Sequence, residues 1–288
     1  MNKYLKDFLL FLEIEKGYSN NTIESYKIDI EEFIKFYKDN FLNLEYENIN
    51  KYLIFLYQKN LSKNTISRKL SACRTFYKYL VSQKILKDNV FDLVDGPKKS
   101  KTLPNFLYKN EMNQITDNYY KLNSKEKLII ECIYSTGIRV SELVNAKYSD
   151  IDKNSRTIKI LGKGNKERIV IFGDYLYELL DANEKQNYLI TNKNGKQITT
   201  HGIRYILKNI SNKIGLKKHL TPHMFRHTFA TTMLDNGADL KTVSELLGHE
   251  NLKTTGIYTH VSNDRLKQVY LKTHPRELQY NKKNDIMK

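Results

Sequence analysis

The chain has 288 residues, of which 40% are hydrophobic, so it can form one or two folded domains and wholesale disorder is excluded. It holds 48 lysine and arginine residues against 32 acidic ones, a formal net charge of +16. A polyanionic partner and a solvated lysine-rich surface both account for that surplus. Two cysteines indicate neither a disulfide framework nor a zinc cluster, and the short N-terminal apolar run is too short for a signal peptide or membrane span. We therefore expect a cytoplasmic protein that makes no membrane contact.

The positive charge is unevenly distributed along the chain. Residues 1–47 hold six basic and ten acidic residues, whereas residues 48–100 hold eleven basic and three acidic ones. The remainder, residues 101–288, is again basic, with 31 basic and 19 acidic residues. An electrostatic face that begins near Asn48 would produce this distribution.

Residues 1–95 have the hydrophobic periodicity of helices. Ser19 and Ser62 stand directly before two of the periodic segments, where a serine typically caps the first turn of a helix. We expect four helices in this region, the third over about residues 49–58 and the fourth beginning after Ser62.

The fourth predicted helix carries two stripes. Ile66, Leu70 and Tyr77 belong to an apolar stripe that we expect to face the core. Basic residues occupy its other faces, where we expect them to meet a polyanion rather than protein. These basic residues are Lys63, Arg68, Lys69 and Arg74.

Residues 96–104 contain a glycine, two prolines and several lysines, which predicts a linker. It separates a first domain, residues 1–95, from a second domain, residues 105–288. The second domain has a mixed pattern, with a buried helix over about 128–134 and mainly helices from about residue 201. Between them the pattern predicts a β-hairpin. Its strands are expected at 156–161 and 168–172, joined by residues 162–167.

A helix start is predicted at Thr221, which suits an N-cap and is followed by a proline. His223 and Arg226 are three residues apart, so they share a face near a helix N-terminus, where free N–H groups favour phosphate. A capped helix with a structural histidine accounts for the same pattern. A zinc site through His223 and His227 is a further alternative, but Met224 stands where the zinc-protease motif has its glutamate.

Four further residues are candidates whose local patterns are ambiguous. Arg139 follows a Thr-Gly turn, where an arginine often serves only as a cap or an ion-pair partner. Lys163 lies between two glycines at the predicted hairpin tip, where a lysine is commonly just solvated. His249 follows Gly248, a natural helix end. Tyr258 is one of 21 tyrosines, and a phenol with a pKa of ~10 needs a base or positive surroundings to act as a nucleophile.

Taken in chain order, these residues resemble the tyrosine recombinase family, and in particular the bacterial Xer recombinases. The resemblance covers about residues 4–276 and extends to the family's core-binding domain. It rests on five boxes: TGIRVSEL at 136–143, GKGNKER at 162–168, TPHMFRH at 221–227, LGH at 247–249 and YTH at 258–260. The nine-residue step from His249 to Tyr258 also fits the family pattern.

The resemblance implies a mainly α fold. An N-terminal four-helix, SAM-like core-binding domain would precede a mixed, mostly helical catalytic domain with a small antiparallel β-sheet. The C-terminal end would form an exchange tail that docks on a neighbouring protomer through an amphipathic segment. That segment contains Leu266, Val269 and Tyr270.

The resemblance also implies site-specific cutting and rejoining of DNA through a 3′-phosphotyrosyl intermediate. The tyrosine would be the nucleophile, the two arginines would clamp the phosphate, and the lysine would protonate the leaving 5′-oxygen. The histidines would accept a proton or hold the phosphate, and neither a cofactor nor a metal is implied. The implied catalytic residues are Tyr258, Arg139, Lys163, His223, Arg226 and His249.

The implied partners are double-stranded DNA with a specific recombination site, further recombinase subunits and a septal DNA translocase. The subunits would form a homo-tetramer, or a hetero-tetramer with a sister recombinase, on two DNA sites, and would resolve chromosome or plasmid dimers. The basic face of the fourth helix would then bind DNA. Alternatives are a phage or mobile-element integrase, a type IB topoisomerase and a non-catalytic DNA-binding protein.

Overall fold

The computed structural model describes residues 2–97, 106–162, 167–182, 187–248 and 260–278. The chain divides into two compact units, unit 1 (residues 1–103) and unit 2 (residues 104–288). Most of the predicted linker lies outside the described residues. Among the helices of the described ranges, none is both long enough and apolar enough to cross a membrane.

Within residues 2–97, unit 1 has four α-helices, as the sequence predicts, and two short 3-10 helices. The α-helices are α1 (Lys3–Ile14), α2 (Asn20–Tyr37), α3 (Tyr46–Gln58) and α4 (Lys63–Ser82), and the 3-10 helices are Lys38–Leu42 and Val90–Leu93. Ser19 and Ser62 cap α2 and α4, each accepting a hydrogen bond from the backbone N–H three residues on, which confirms both predicted caps. α3 begins earlier than predicted because the backbone N–H of Glu45 donates to the Asn48 side chain at 2.8 Å, closing a first turn there.

Aromatic rings fill the core of unit 1. Phe33 is fully buried, and its ring centre lies 5.2 Å from that of Tyr52 and 5.5 Å from that of Phe91, in edge-to-face pairs. Phe8 of α1 and Phe76 of α4 form a further edge-to-face pair at 5.1 Å. Each such pair adds about 0.5–1.5 kcal/mol beyond the burial of its area. One aromatic core therefore joins the four helices.

Unit 2 is mostly helical within its described residues. Its α-helices are α5 (Lys109–Asp117), α6 (Ser124–Thr136), α7 (Val140–Leu143), α8 (Asp174–Ala182), α9 (Thr200–Lys213), α10 (Pro222–Asp235), α11 (Leu240–Leu247) and α12 (His260–Thr273). α6 is buried at every residue from Leu128 to Thr136, which confirms the predicted buried helix. It contacts α8, α9 and α10, so other helices cover it on several sides.

A three-stranded antiparallel sheet lies between α7 and α8 in the chain. Its strands are β1 (Ile151–Asp152), β2 (Thr157–Leu161) and β3 (Glu167–Ile171), in the order β1-β2-β3. β2 and β3 form the predicted hairpin, whereas the two residues of β1 are too few to show an alternating pattern. Arg168 pairs with Ile160, so it shares a sheet face with the buried Ile158 and Val170. This register turns the Arg168 side chain toward the interior of unit 2.

The C-terminal helix packs on its own chain. Leu266 and Tyr270 of α12 are buried in one cluster with Ile171, Phe229 and Met233. The docking of this segment on a neighbouring protomer stays a prediction. Packing within the chain stabilises the described fold, because exposing apolar surface to water costs about 25 cal/mol for each Å².

Candidate active site

The end of α6 sets the position of Arg139. Gly137 has a left-handed backbone, with a φ of 62°, and its N–H donates to the Ile133 carbonyl at 3.0 Å to close the helix. A Cβ at Gly137 would lie 2.7 Å from a methyl group of Leu247 and 3.0 Å from the ring of Phe229. Glycine is required there on both grounds, and the turn it makes delivers Arg139 as the N-cap of α7.

The start of α10 places His223 and Arg226 one helical turn apart. Thr221 caps the helix through its side chain, and Pro222 is the first helical residue, as the sequence predicts. His223 is exposed and Arg226 is partly buried. The exposed ring of His227 packs edge-to-face with Phe106, with 5.6 Å between ring centres. No group of three or more His, Cys, Asp or Glu side chains in the described ranges is arranged to hold a metal.

Arg139 and Arg226 meet at the end of α11. Arg226 donates to the Leu247 carbonyl at 2.7 Å and also to the Gly137 carbonyl. Arg139 donates through Nη2 to the Gly248 carbonyl at 3.4 Å. Two guanidinium groups from separate parts of the sequence, 87 positions apart by number, therefore converge on one helix end.

The Glu142 carboxylate links Arg139 to a third arginine, Arg168. One carboxylate oxygen accepts from Arg139 Nη1 at 2.8 Å, and the other accepts from the Arg139 backbone N–H at 2.8 Å and from Arg168 Nη2 at 2.9 Å. Burial of the Glu142 carboxyl opposes its ionisation, but hydrogen bonds and charge from Arg168 and Arg139 outweigh burial and lower its pKa. Glu142 is thus a buried carboxylate that fixes two guanidinium groups.

Sequence reasoning assigned no role to Glu142 or Arg168, although both lie inside the quoted boxes. Glu142 stands three residues after the N-cap of α7, which is the spacing of a capping box. Arg168 lies on the same face of β3 as the buried Val170. Both signals were present in the sequence, but each is also typical of purely structural residues.

The cluster carries an excess of positive charge. Burial, together with the nearby charges of Arg139 and Arg168, lowers the pKa of Arg226 to about 9, while Glu142 raises it. That pKa still lies above neutral pH, so Arg226 stays protonated. Three guanidinium groups thus surround one carboxylate, and an anionic ligand would relieve the repulsion among them.

Lys163, His249 and Tyr258 lie outside the described residues. For two of them, described chain neighbours lie at the cluster: Gly248 directly precedes His249, and Arg168 follows Lys163 by five residues. The structure thus brings together Arg139 and Arg226, with His223 one turn from Arg226 on the same helix.

The basic residues of α4 differ in exposure. Lys63 is exposed, and Arg68 is half-exposed while it pairs with Asp29. Lys69 is only 5% exposed and pairs with Asp29 at 3.1 Å and with Glu32 at 3.2 Å. The expectation that Lys69 meets a polyanion rather than protein is therefore wrong. The reason is Asp29, which is fully buried and needs a counter-charge.

Arg74 also bonds to its own chain. It donates to the carbonyls of Phe91 at 3.2 Å and Val94 at 2.8 Å, at the end of unit 1, while part of its side chain stays exposed. The sequence predicted that Arg74 meets a polyanion rather than protein. Its hydrogen bonds to two protein carbonyls contradict the second half of that prediction. Lys63, Arg68 and Arg74, together with Lys78 one turn further along, are the cationic side chains of α4 with an exposed surface.

Comparison with known proteins identifies the family. The model described as "Phage integrase family" matches residues 105–265, and that of "Phage integrase, N-terminal SAM-like domain" matches residues 5–84. Tyrosine recombinase XerC of Staphylococcus carnosus is 44% identical, over 96% of this chain and 98% of its own. Tyrosine recombinase XerC of Bacillus subtilis is 39% identical, over 98% of this chain and 99% of its own.

Solved structures show the same architecture. XerH site-specific recombinase bound to palindromic difH substrate is 25% identical with a TM-score of 0.68, over 86% of this chain and 79% of that chain. A lambda integrase dimer bound to a COC′ core site has a TM-score of 0.72 over 88% of this chain and 97% of that one, and at 18% identity it supports the fold alone. From its matched domains, its relatives along nearly the whole chain and its arginine cluster, the chain belongs to the phage integrase family and is a tyrosine-type site-specific recombinase.

Proposed function

We propose that Tyr258 cuts duplex DNA at a phosphodiester held by Arg139 and Arg226. The tyrosine oxygen forms a bond to phosphorus and the bond from phosphorus to the 5′-oxygen breaks. This leaves a 3′-phosphotyrosine and a free 5′-hydroxyl. A 5′-hydroxyl from the partner strand then attacks the phosphotyrosine and releases Tyr258. The covalent bond conserves the energy of the phosphodiester, so no nucleotide cofactor is needed.

The observation that carries this proposal is the meeting of Arg139 and Arg226 at the end of α11. In the transition state, negative charge spreads over the non-bridging oxygens of the phosphate. Forked guanidinium groups match those oxygens geometrically and stabilise their charge. Because Glu142 fixes Arg139 before DNA binds, this fork needs little reorganisation on binding.

The remaining catalytic groups have complementary roles. Lys163 donates a proton to the leaving 5′-oxygen, as an ammonium at a hairpin tip can. His223, exposed at the start of α10, takes the proton from Tyr258 or helps to position the phosphate. His249, which follows the carbonyls held by the arginines, donates a hydrogen bond to the phosphate.

Unit 1 contributes phosphate contacts outside the active site. Lys63 and Arg68 on α4 are its candidate DNA ligands, with Arg74 as a third. Lys69 is instead the internal counter-ion of Asp29. Contacts of this kind supply affinity without sequence information.

The biological role follows from the relatives. Proteins named tyrosine recombinase XerC match this chain at 39–44% identity along nearly its full length. We propose that this enzyme resolves chromosome or plasmid dimers in the bacterial cytoplasm. It would act on a specific site of double-stranded DNA as a homo- or hetero-tetramer on two such sites, with a sister recombinase and a septal DNA translocase as further partners. A solved relative supports the DNA part of this proposal, since XerH is described as bound to difH substrate.

Replacement of the nucleophile tests the chemistry. Tyr258→Phe removes one hydroxyl, so the variant should fold and bind DNA but form no covalent adduct on a denaturing gel. The substrate is a nicked duplex selected from a randomised library by its binding to this protein. An adduct that persists in the variant would assign the attack to another residue.

A further inference from the structure

We infer that Arg168 is a positioning residue that aligns the β2–β3 hairpin, and with it Lys163, against the arginine clamp. The inference rests on the proposed placement of Lys163 in the active site. It concerns a side chain that does not contact the DNA phosphate but acts through the groups around it.

Arg168 belongs to the hairpin yet points away from its exposed surface. It is the second residue of β3, opposite Ile160, and only 16% of its side chain is exposed. Its neighbours Glu167 and Ile169 face outward instead, and Glu167 pairs with Lys159 at 2.8 Å on that outer face. Arg168 is therefore the residue by which this end of the hairpin reaches the active-site cluster.

Three successive carbonyls at the end of α11 each accept from a different arginine. Arg168 Nη1 binds the Leu246 carbonyl at 3.0 Å, next to the Leu247 carbonyl bound by Arg226 and the Gly248 carbonyl bound by Arg139. The helix end that precedes His249 is therefore fixed by the hairpin and by both clamp arginines together.

The second terminal nitrogen of Arg168 links the hairpin to the arginine clamp. Its Nη2 donates to the same Glu142 oxygen that accepts from the Arg139 backbone, while the other oxygen binds the Arg139 guanidinium. The side chain also lies flat on Gly248, where a Cβ would come within 2.6 Å of Arg168 Cδ. Gly248 has a φ of 65°, so both its backbone and this contact require glycine.

No other side chain type reproduces these contacts. A lysine keeps the charge but has one nitrogen, so it cannot bind Leu246 and Glu142 in the same fork. Losing one of the two bonds lets the hairpin shift relative to Arg139. A displacement of about 1 Å in an active site lowers the rate by roughly 100-fold.

A double-mutant cycle with Lys163 tests this role. The rate of covalent adduct formation is measured in single turnover, at saturating concentrations of the selected duplex, for Arg168→Lys, Lys163→Ala and the double variant. Arg168→Lys should slow adduct formation by roughly 10–100-fold in the wild-type background. In the Lys163→Ala background it should slow the reaction by less than about 3-fold, because the group that it positions is already absent.

An equal slowing in both backgrounds would overturn the inference, since Arg168 would then act independently of Lys163. Glu167→Gln is the matched control, because it changes the neighbouring residue of β3 and breaks only an exposed ion pair. It should leave the rate unchanged. Thermal unfolding of each variant identifies a temperature at which all of them are folded, and the rates are compared there. If the lysine variant does not fold, Arg168→Gln replaces it.

A substrate with sulfur in place of the bridging 5′-oxygen separates this inference from the proposed acid. Sulfur is a good leaving group and needs no proton, so it should rescue Lys163→Ala and Arg168→Lys alike but not Arg139→Ala. Failure to rescue Lys163→Ala would reject the acid role of Lys163. The double-mutant cycle would still test whether Arg168 and Lys163 act together. Rescue of Lys163→Ala alone would overturn the positioning role of Arg168.

Discussion

Glu142 is a buried carboxylate bonded to two of the three guanidinium groups in the described part of the site. Arg139, Arg168 and Arg226 would repel one another without it, since each lies partly out of water. Its lowered pKa shows that the folded protein stabilises the ionised form. At the scale of single residues, the arrangement of these guanidinium groups therefore depends on a buried anion.

Glu142→Gln should destabilise the fold by about 3 kcal/mol at neutral pH, because it leaves buried guanidinium groups without their counter-charge. The folded-state pKa of Glu142 is depressed, so its contribution is present above the unfolded value of about 4.3 and is lost as pH falls through the folded pKa. Urea unfolding at several pH values should show a difference in unfolding free energy between wild type and variant that narrows below about pH 4.3. A gap that is constant with pH would show that charge is not the cause.

Lys63 and Lys69 should respond differently to alanine although both belong to α4. Lys63→Ala should keep stability and flatten the dependence of log affinity on log salt by about 0.9, as expected for one lost phosphate contact. Lys69→Ala should leave that slope unchanged and lower stability by about 3 kcal/mol, because Asp29 stays buried with less compensation. The measurements are a salt titration of DNA binding and urea unfolding. A flatter slope for folded Lys69→Ala would contradict the assignment.

At the scale of elements, α12 anchors the part of the chain that follows Tyr258, the proposed nucleophile. It begins two residues after Tyr258 and packs on α10 and α11 of its own chain. His274 extends this anchor, since it is fully buried and stacks on Tyr270 with 4.9 Å between ring centres. Arg276 extends it further by pairing with the buried Glu131.

We expect Tyr258 to attack in the active site of its own chain. A mixture of Tyr258→Phe and Arg226→Ala chains should then form no adduct, because no chain holds both the nucleophile and the intact clamp. Adduct formation is measured on the selected nicked duplex, with each variant alone and the wild type as controls. Activity restored on mixing would mean that Tyr258 is delivered to a neighbouring chain.

Local signals predicted some elements well and long-range partners poorly. The caps at Ser19, Ser62 and Thr221 were predictable because a cap is a contact within one helical turn. The burial of Lys69 was not, since its partner Asp29 is 40 residues away on another helix. Likewise, the apolar stripe of α12 was visible in the sequence, but no local pattern says which surface covers it.

At the scale of the whole molecule, the chain has two compact units and an uneven charge. Acidic residues outnumber basic ones only before residue 48, and the rest of the chain carries the positive surplus. Both units have their own buried core, and the apolar stripe of α12 is covered without a partner. Nothing in this packing of the described residues requires a second chain before DNA is bound.

The free enzyme should therefore be a monomer that assembles on DNA. Light scattering at micromolar concentration should give the mass of one chain, and addition of the selected duplex should give complexes with two or more chains. A short duplex of unrelated sequence is the control and should not promote assembly at moderate salt. A stable dimer without DNA would show that α12 or another apolar face is exchanged in the free protein.

α6 and α11 both end on a left-handed glycine at the same place, with φ values of 62° at Gly137 and 65° at Gly248. The carboxyl end of a helix carries roughly half a negative charge, so two such ends would by themselves repel a phosphate. Arg226, which donates to a carbonyl of each turn, offsets the negative charge of both ends. Its loss would expose two negative helix ends as well as remove a phosphate ligand. A neutral side chain at position 226 would therefore weaken phosphate binding at the proposed site by more than the loss of one ligand.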